Sequence, residues 1–347
     1  MPHFANSLIA WQRSHGRHDL PWQGTRDPYR VWLSEIMLQQ TQVETVIPYY
    51  LRFLERFPDV AALASAPEEE VLRLWSGLGY YTRARNLHRA AQRLARERNG
   101  GFPDSVEGLL ELPGVGRSTA AAIAAFAFGR RAAILDGNVK RVLARAFGVD
   151  GFPGERAVQA RLWRLAEEQL PARGIERYTQ ALMDLGATLC TRARPRCEAC
   201  PVAAPCVARR EGRVAELPAA RPRRTVPRKD VTWLVLLDAG RVLLERRAAP
   251  GLWGGLWAFP EVSGRRAEAH FRRALGCELR LIERLAPLER AFTHFRLRAR
   301  PLLYALRKRA PRAEQPGRLW LELSEAQGAA APAPVKKLLA QIAARRA

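Results

Sequence analysis

Four of the five cysteines in this sequence fall within one short segment, residues 190–206, at the spacing C-x6-C-x2-C-x5-C. A segment with four thiolates can wrap a metal centre, and four sulfur ligands suit either an iron-sulfur cluster or a tetrahedral zinc ion. The spacing of the cysteines alone does not decide between an iron-sulfur cluster and a zinc ion. The candidate ligands are Cys190, Cys197, Cys200 and Cys206. The remaining cysteine, Cys277, stands alone, and we expect it to pack in a core.

Two carboxylates occupy positions that suit catalysis. Asp136 follows an apolar run, 132–135, and precedes a helical stretch, 138–147, so it is predicted to cap that helix. An oriented carboxylate can also stabilise the positive charge that develops on a sugar as its base departs. Glu35 has apolar residues three and four positions away on one predicted helix, and such neighbours should raise its pKa. A solvated surface position is the ordinary alternative for Glu35.

The run 112–117, Leu-Pro-Gly-Val-Gly-Arg, lies between two predicted helices. A capping-box sequence at 104–107 precedes it, and an alanine-rich stretch follows it. Gly114 and Gly116 let backbone amides at a helix N-terminus come close to a phosphate, which binds DNA without reading its sequence. A Pro-Gly turn with no role in binding is the alternative. The pattern predicts a helix-hairpin-helix motif at 104–128.

Positive charge dominates the composition, with 57 Lys and Arg against 34 Asp and Glu and a net charge of +23. This balance favours polyanions, because each neutralised phosphate releases condensed counterions. A basic surface that only maintains solubility is the alternative. The sequence shows no basic start followed by an apolar segment and no run of about 18 apolar residues. We therefore expect a cytoplasmic protein whose default partner is nucleic acid.

Length and composition predict two domains. Residues 1–208 carry helical periodicity throughout and are predicted to form an all-α domain. Residues 209–229 are basic, contain prolines and have few large apolar side chains, so they are predicted to be a linker. Residues 230–347 mix strand and helix patterns and are predicted to form an α/β domain with a mixed sheet.

Three local patterns support this division. Asp27 and Pro28 suit the N-cap and first turn of a helix that continues with apolar residues at helical spacing. Two β-rich runs flank Asp238-Ala239-Gly240, which is a plausible hairpin turn. Residues 335–346 place apolar side chains at helical spacing and are predicted to form a closing helix.

Two runs of sequence resemble a known family. The run 178–186, Tyr-Thr-Gln-Ala-Leu-Met-Asp-Leu-Gly, followed by the four cysteines, is similar to the [4Fe-4S] loop of the endonuclease III and adenine glycosylase superfamily. The run 34–43, Ser-Glu-Ile-Met-Leu-Gln-Gln-Thr-Gln-Val, is similar to the signature of MutY-type adenine DNA glycosylases. The resemblance covers essentially the whole chain. It implies a helix-hairpin-helix glycosylase domain with a [4Fe-4S] cofactor held by the four cysteines.

The resemblance also implies roles for individual residues. Glu35 would protonate adenine, which leaves poorly as an anion, and Asp136 would stabilise the sugar cation or bond to it transiently. Gln40 and Tyr80 would fill the space left by the flipped base. The further DNA-binding positions that it implies are Thr41, Gly114, Gly116, Arg117, Ser118, Asn138 and Lys140.

The residue just after the hairpin separates two kinds of relative. Bifunctional relatives carry a lysine there, whose amine forms a Schiff base with the sugar and then nicks the strand. This chain has Ser118, and Lys140 is its only lysine before residue 229. Lys140 also suits an i,i+4 ion pair with Asp136. A monofunctional glycosylase is therefore expected. Some relatives have a tyrosine at the position of Ser118, and the contact that this tyrosine makes is expected to be weaker here or to come from another residue.

The run 251–260, Gly-Leu-Trp-Gly-Gly-Leu-Trp-Ala-Phe-Pro, resembles the loop of the family's Nudix-like C-terminal domain. Active Nudix hydrolases follow this loop with a glutamate-rich helix that holds Mg²⁺. Here residues 264–278 contain only Glu268 and Glu278 as acids, so no such metal site is expected. The arginines of the same stretch are Arg265, Arg266, Arg272 and Arg273.

The second domain is therefore expected to recognise a lesion. The family uses a Phe-Ser-His segment whose hydroxyl contacts 8-oxoguanine, and this chain has Phe292, Thr293 and His294. Threonine retains the hydroxyl and adds a methyl group. An ordinary exposed strand is the alternative for this segment.

These inferences predict a monofunctional DNA glycosylase that acts as a monomer on double-stranded DNA and hydrolyses adenine from pairs with 8-oxoguanine or guanine. Three other functions are weighed against it. An endonuclease III-like pyrimidine glycosylase with lyase activity is opposed by Ser118 and Glu35. A Nudix pyrophosphatase is opposed by the missing acidic helix, and a non-catalytic iron-sulfur DNA-binding protein has no need of Glu35 together with Asp136.

Overall fold

The computed structural model describes residues 2–222, 225–249, 251–263, 267–292, 294–308 and 316–345. The chain forms two compact units. The first comprises Met1–Ser65 and Asn86–Arg223, and the second comprises Ala66–Arg85 and Arg224–Ala347. A short stretch from the predicted helical region thus belongs to the same unit as the C-terminal part of the chain.

Helices account for most of the ordered structure before residue 211. In chain order the helices of the described residues are α1 Pro2–His15, α2 Pro28–Leu38, α3 Val43–Arg56, α4 Val60–Ser65, α5 Glu68–Trp75, α6 Thr82–Arg98, α7 Val106–Leu110, α8 Arg117–Phe128, α9 Gly137–Ala146, α10 Arg156–Glu168, α11 Ile175–Thr188, α12 Val207–Arg210, α13 Ala267–Leu275, α14 Leu323–Ala326 and α15 Ala333–Ala344. A 3₁₀ turn covers Cys197–Ala199.

Helix α2 begins as its sequence predicts. The Asp27 carboxylate accepts a hydrogen bond from the Tyr29 amide at 2.9 Å, and Pro28 occupies the first turn, where its missing N–H is not needed. Trp32 and Leu33 are fully buried, so the apolar face of α2 packs into the first unit. This packing fixes the position of Glu35 on the same helix.

The helix-hairpin-helix motif is confirmed. The Ser105 hydroxyl caps α7 by accepting from the Gly108 amide at 3.1 Å, and α8 follows the hairpin. Gly114 in the hairpin has a φ of +83°, and a Cβ added there would lie 2.7 Å from the Asn86 Cβ. Only glycine fits this combination of left-handed backbone and close approach.

Helix α9 is central to the core of the first unit. Val139 and Leu143 are fully buried, together with residues of α1, α8, α10 and α11. Gly186 of α11 lies so close to α9 that an added Cβ would approach the Asn138 Cβ to 2.5 Å. The close packing of these two helices fixes the end of α9 that Asp136 caps.

The second unit is built around a mixed sheet. In the described residues its strands are β1 Arg228–Asp238, β2 Arg241–Arg246, β3 Trp257–Ala258, β4 Glu261–Val262, β5 Glu278–Arg284, β6 Leu288–Ala291, β7 Arg296–Lys308 and β8 Arg318–Glu322. The order is β3-β2-β1-β7-β5, with β4 on β1, β6 on β7 and β8 on β2. Strands β1 and β7 are parallel, whereas every other pair is antiparallel.

The predicted hairpin and closing helix are both present. Asp238 pairs with Arg241, and the intervening Ala239 and Gly240 both have positive φ, as a tight two-residue hairpin turn requires. Helix α15 buries the apolar side chains that predicted it. Cys277 is buried in the core between α13 and the sheet, as expected.

The stretch predicted to be a linker contains some structure. Helix α12 extends to Arg210, Leu217 is buried, and β1 begins at Arg228. The proposed boundaries of the linker stay a prediction. Within the described residues, no helix is both long enough and apolar enough to cross a membrane.

Candidate active site and cysteine pocket

A pocket of about 820 Å³ opens beside Glu35 in the first unit. We call it the Glu35 pocket. Its walls come from α2, from the chain between α1 and α2, and from α11. Residues that line it include Arg17, His18, Trp22, Ser34, Glu35, Leu38, Phe126 and Gln180. Its lining combines aromatic, aliphatic and amide groups with two acids, Glu35 and Glu176, and suits a planar, polar ligand such as a nucleobase.

Glu35 holds its proton at neutral pH. Burial raises the pKa of its carboxyl from 4.5 to about 8, and the negative charge of Asp136 acts in the same direction. The apolar neighbours that predicted this shift include Val31 and Leu38, which line the same pocket. A protonated carboxylic acid facing a pocket can donate a proton to a bound ligand.

Asp136 is the N-cap of α9, as predicted. Its carboxylate accepts a hydrogen bond from the Val139 amide at 2.7 Å. Burial raises the pKa of Asp136 overall, although the Val139 and Asn138 amides and the positive charges of Arg141 and Lys140 act in the other direction. These opposing effects favour Glu35 as the member of the pair that keeps the proton.

Ser118 has a structural role that the sequence did not reveal. Its hydroxyl accepts a hydrogen bond at 3.0 Å from the amide of Leu135, the residue immediately before Asp136. The first turn of α8 thereby fixes the chain that leads into the α9 cap.

A buried acid behind the Glu35 pocket was missed by the sequence analysis. Asp184 of α11 is completely buried and accepts hydrogen bonds from the Arg17 backbone at 3.0 Å and from the Arg17 Nε at 2.7 Å. Gln180 also donates to Asp184, at 2.9 Å. Asp184 thus fixes two side chains of the pocket wall. The signal available was an acid in an otherwise apolar stretch of α11, but its partner lies 167 residues away in the sequence.

The hairpin and the end of α2 lie together in the first unit. The Gln39 side chain donates to the Thr119 hydroxyl at 3.1 Å and to the Gly114 carbonyl at 3.5 Å. The next residue, Gln40, is exposed and has a φ of +57°, a left-handed conformation that is strained for a residue with a side chain. Thr41 follows, and its amide donates to the Leu38 carbonyl at 3.2 Å.

Arg117 begins α8 on the other side of the hairpin. Its guanidinium lies 3.9 Å from the centre of the Trp163 ring and pairs with Glu167, both on α10. The pairing is half-exposed and therefore contributes little to stability. Arg117 is accessible to a phosphate in this position.

Tyr80 belongs to the second unit. It is 52% exposed, and its φ of +49° also lies in the left-handed region. Both residues expected to fill the place of a flipped base, Gln40 and Tyr80, thus combine exposure with backbone strain. Strain of this kind is concentrated at functional positions.

The four cysteines line one common cavity in the first unit. Cys190, Cys197, Cys200 and Cys206 all contribute to its wall, together with Leu189, Pro195 and Arg145. We call it the cysteine pocket. Burial raises the pKa of Cys200 to about 11, and the neighbouring cysteines add to this shift. The cysteines are therefore close enough together for a thiolate at one position to disfavour ionisation at another.

Two arginines of α9 hold the cysteine segment in place. Buried Arg145 donates to the Thr191 and Leu217 carbonyls at 2.7 Å, and its terminal nitrogen lies 3.4 Å from the Cys190 sulfur. Arg141 donates to the Cys190 carbonyl at 2.7 Å and to the side chain of Asn138 at 2.8 Å. No group of three or more His, Cys, Asp or Glu side chains in the described part of the chain is arranged to hold a single metal ion.

The segment expected to read a lesion lies in the second unit. Phe292 stacks on Phe295 with 4.8 Å between ring centres, and the Phe292 amide donates to the Phe295 carbonyl at 2.8 Å. His294 is exposed at this turn. Thr293, Arg265 and Arg266 lie outside the described residues, and so does the side chain of Glu268.

Comparisons with known proteins agree with this architecture. Residues 33–168 match the family model described as HhH-GPD superfamily base excision DNA repair protein, and residues 232–341 match that of the NUDIX domain. A solved thermostable thymine-DNA glycosylase is 30% identical at a TM-score of 0.55, over 60% of this chain and 95% of that one. An endonuclease III bound to DNA shares the fold at a TM-score of 0.51 and 22% identity, over 60% of this chain and 94% of that one. The class is thus that of the helix-hairpin-helix DNA glycosylases of base excision repair.

Full-length relatives narrow the class further. The adenine DNA glycosylase of Buchnera aphidicola subsp. Baizongia pistaciae is 34% identical over 340 residues, which cover 98% of this chain and 96% of that relative. The human adenine DNA glycosylase is 35% identical over 400 residues, which cover 96% of this chain and 73% of that relative. The chain belongs to the adenine DNA glycosylase family.

Proposed function

We propose that this enzyme removes adenine from pairs with 8-oxoguanine or guanine in double-stranded DNA, by hydrolysis of the N-glycosidic bond after the adenine is flipped out. The observation that carries the proposal is the Glu35 pocket. It presents a carboxylic acid with a pKa of about 8 to a cavity large enough for a purine, with a second carboxylate close behind.

The two carboxylates divide the work. Glu35 donates its proton to a ring nitrogen of adenine, so that the base leaves as a neutral molecule rather than an anion. Asp136, ionised and oriented by the amides at the start of α9, stabilises the positive charge that builds on the deoxyribose. Water then completes the hydrolysis. The residue after the hairpin is Ser118 rather than a lysine, so we propose no Schiff base and no strand nicking.

DNA contacts extend from this pocket. The hairpin glycines and Arg117 bind the phosphate backbone, with Thr41, Asn138 and Lys140 as further contacts near the flipped nucleotide. Gln40 and Tyr80 fill the vacated space in the duplex. Phe292, Thr293 and His294 read the base opposite the adenine.

We further propose that the four cysteines hold a [4Fe-4S] cluster. Four sulfur donors around one cavity give one thiolate for each iron, and the buried Arg145 guanidinium beside Cys190 offsets part of their negative charge. When bound, the cluster would order the segment 190–206 against the basic surface that faces DNA. Iron and sulfide analysis, with an absorption band near about 400 nm that zinc cannot give, tests this assignment.

The activity test compares substrates. Purified enzyme is incubated with duplexes that hold adenine opposite 8-oxoguanine, guanine or cytosine, and with a duplex that holds an oxidised pyrimidine. Release of free adenine from the first two, with strand breaks only after alkali treatment, is the expected result. Release of the pyrimidine, or nicking without alkali, would instead support an endonuclease III-like lyase.

A further inference from the structure

The segment 66–85 carries Tyr80 in the turn between α5 and α6. The Trp75 indole N–H donates to the Gly79 carbonyl at 3.1 Å, and the Arg83 side chain donates to the same carbonyl at 3.3 Å. The Arg83 guanidinium lies 5.3 Å from the Trp75 ring centre and 5.4 Å from that of Tyr80. These contacts fix the carbonyl that precedes the strained Tyr80 backbone and place a guanidinium near its exposed ring.

This segment is attached to the loop 251–257, the glycine- and tryptophan-rich run singled out in the sequence. The Trp257 indole N–H donates to the Glu69 carboxylate at 2.6 Å, and the Arg85 guanidinium donates to the Gly254 carbonyl. A Cβ added at Gly255 would lie 3.4 Å from the Leu72 side chain, so the loop backbone rests directly on α5. Both flanks of the Tyr80 turn are therefore bound to one short loop.

The same loop contacts the segment expected to read the lesion. The Trp253 ring lies 5.9 Å from the Phe292 ring in an edge-to-face arrangement, and 6.1 Å from Trp233 in the sheet. Trp253 has a φ of +58°, so the loop backbone is strained where it meets Phe292. Edge-to-face aromatic pairs are directional, and a displacement of Phe292 changes the packing of Trp253.

We propose that the loop 251–257 is a positioning element that couples the lesion-reading segment at Phe292 to the orientation of Tyr80. The inference deepens the proposed function, on which it rests. When Phe292 contacts the opposite base, a displacement of its ring changes the packing of Trp253 and so moves the loop. The bonds from Trp257 and Gly254 to Glu69 and Arg85 then determine whether Tyr80 is aligned for insertion. Recognition of the lesion and insertion of Tyr80 become a single event, and this coupling sets the preference for one opposite base over another.

A double-mutant cycle on the full-length enzyme tests the coupling. The loop-contact variant is Glu69→Ala with Arg85→Ala, the insertion variant is Tyr80→Ala, and the third protein combines all three changes. The probe is a duplex in which 8-oxoguanine is paired with a non-cleavable 2′-fluoro adenine nucleotide. A 2-aminopurine lies next to the 8-oxoguanine in the same strand. Because 2-aminopurine brightens when it loses its stacking partner, its fluorescence reports Tyr80 insertion without any chemistry.

We expect the loop-contact variant to lose most of the fluorescence rise, about fivefold, and to approach the level of Tyr80→Ala. With cleavable substrates, its preference for 8-oxoguanine over guanine falls about tenfold. In the Tyr80→Ala background, the loop-contact changes cost no more than about twofold, since the side chain that they position is already absent. Affinity for a fully paired duplex stays within about twofold of wild type, which separates loss of coupling from loss of DNA binding.

Two further proteins check the interpretation. Arg73→Ala is the matched control, because Arg73 lies on the same helix and pairs with Glu70 one turn away. It should leave fluorescence and preference unchanged. Trp257→Phe keeps an aromatic ring in place but removes the N–H that donates a hydrogen bond to Glu69. It replaces the loop-contact variant if thermal melting shows that the loop-contact variant is unfolded.

Two results would overturn the proposal: independent, additive losses from the loop-contact and Tyr80 changes, or a full fluorescence rise in a folded loop-contact variant. Failure of the proposed function is distinguishable, since the fluorescence cycle needs no base release. If the fluorescence cycle shows the expected non-additivity but the enzyme releases no adenine, the proposed activity is refuted and the proposed coupling stands.

Discussion

The Glu35 pocket and the cysteine pocket lie in one unit and both adjoin helix α9, yet α9 brings charges of opposite sign to them. Burial raises the pKa of Glu35, and Asp136 at the start of α9 adds a negative charge that raises it further. One and two turns further on, Arg141 and Arg145 bring positive charge to the cysteine segment. In the proposed mechanism the first arrangement supplies a proton, whereas the second places positive charge beside the cysteine segment.

Under the proposed function, the first region performs the chemistry and the second supports the fold. Like charges brought together in a cavity push pKa values apart and create an acid and a base. Opposite charges brought together stabilise a fixed arrangement. Changes to the two regions should therefore differ most in their effect on the rate constant of base release.

Glu35→Gln is expected to have the largest effect. It removes the proton donor but keeps the size and polarity of the side chain, so the single-turnover rate of adenine release should fall by about 10³-fold. Affinity for the mispaired duplex should stay within about threefold, because no phosphate contact is lost. A rate within tenfold of wild type would show that Glu35 is not the acid.

Asp136→Asn is expected to lower the same rate by about 10²-fold, because the amide cannot stabilise a developing cation as a carboxylate does. Asparagine is an equally good N-cap, so the free energy of unfolding should change by less than about 1 kcal/mol. Chemical denaturation beside single-turnover kinetics separates the two roles. Equal losses of stability and rate would mean that Asp136 acts only as a cap.

Raising the pH should slow base release as Glu35 loses its proton. With a pKa of about 8, the protonated fraction and hence the rate should fall about tenfold between pH 7 and pH 9. The folded state holds this proton more tightly than the unfolded chain does. The contribution of Glu35 to stability is therefore full below pH 4.5 and is lost as the pH rises to about 8. Glu35→Gln should show neither dependence, and an unchanged rate profile in that variant would assign the titration to another group.

Cys200→Ser should affect base release least. Loss of one ligand is expected to abolish iron binding and to weaken DNA affinity about tenfold, because the segment 190–206 loses its order. The rate constant at saturating enzyme should remain within about threefold of wild type. Cys277→Ser is the matched control, since it removes a buried cysteine outside the cysteine pocket and should retain full iron. A drop of about 10²-fold in the saturated rate would contradict the separation of support from chemistry.

Local features of both regions could be predicted from the sequence. The Asp136 cap, the Asp27 cap of α2 and the hairpin glycines follow from patterns within a few residues, because capping and turn geometry are decided locally. The raised pKa of Glu35 followed in direction from its apolar neighbours on one helix. The full set of walls around it did not, since the pocket also needs the chain between α1 and α2.

Long-range contacts could not be predicted. Asp184 meets Arg17 across 167 residues, and nothing near either side chain indicates the other. The parallel pairing of β1 with β7 brings Arg228 opposite Arg296, and both strands carry patterns that fit many registers. The attachment of Glu69 to Trp257 likewise depends on the folded arrangement of the second unit, which no local rule specifies.

The left-handed backbones of Gln40 and Tyr80 bear on attempts to make this enzyme more robust. A search for thermostabilising substitutions would select both positions, because glycine at a positive φ relieves strain, by about 1 kcal/mol at each site. Both replacements would delete the side chains proposed to enter the duplex. The enzyme would then melt at a higher temperature and repair less DNA, a conflict between durability and activity at each of these two residues.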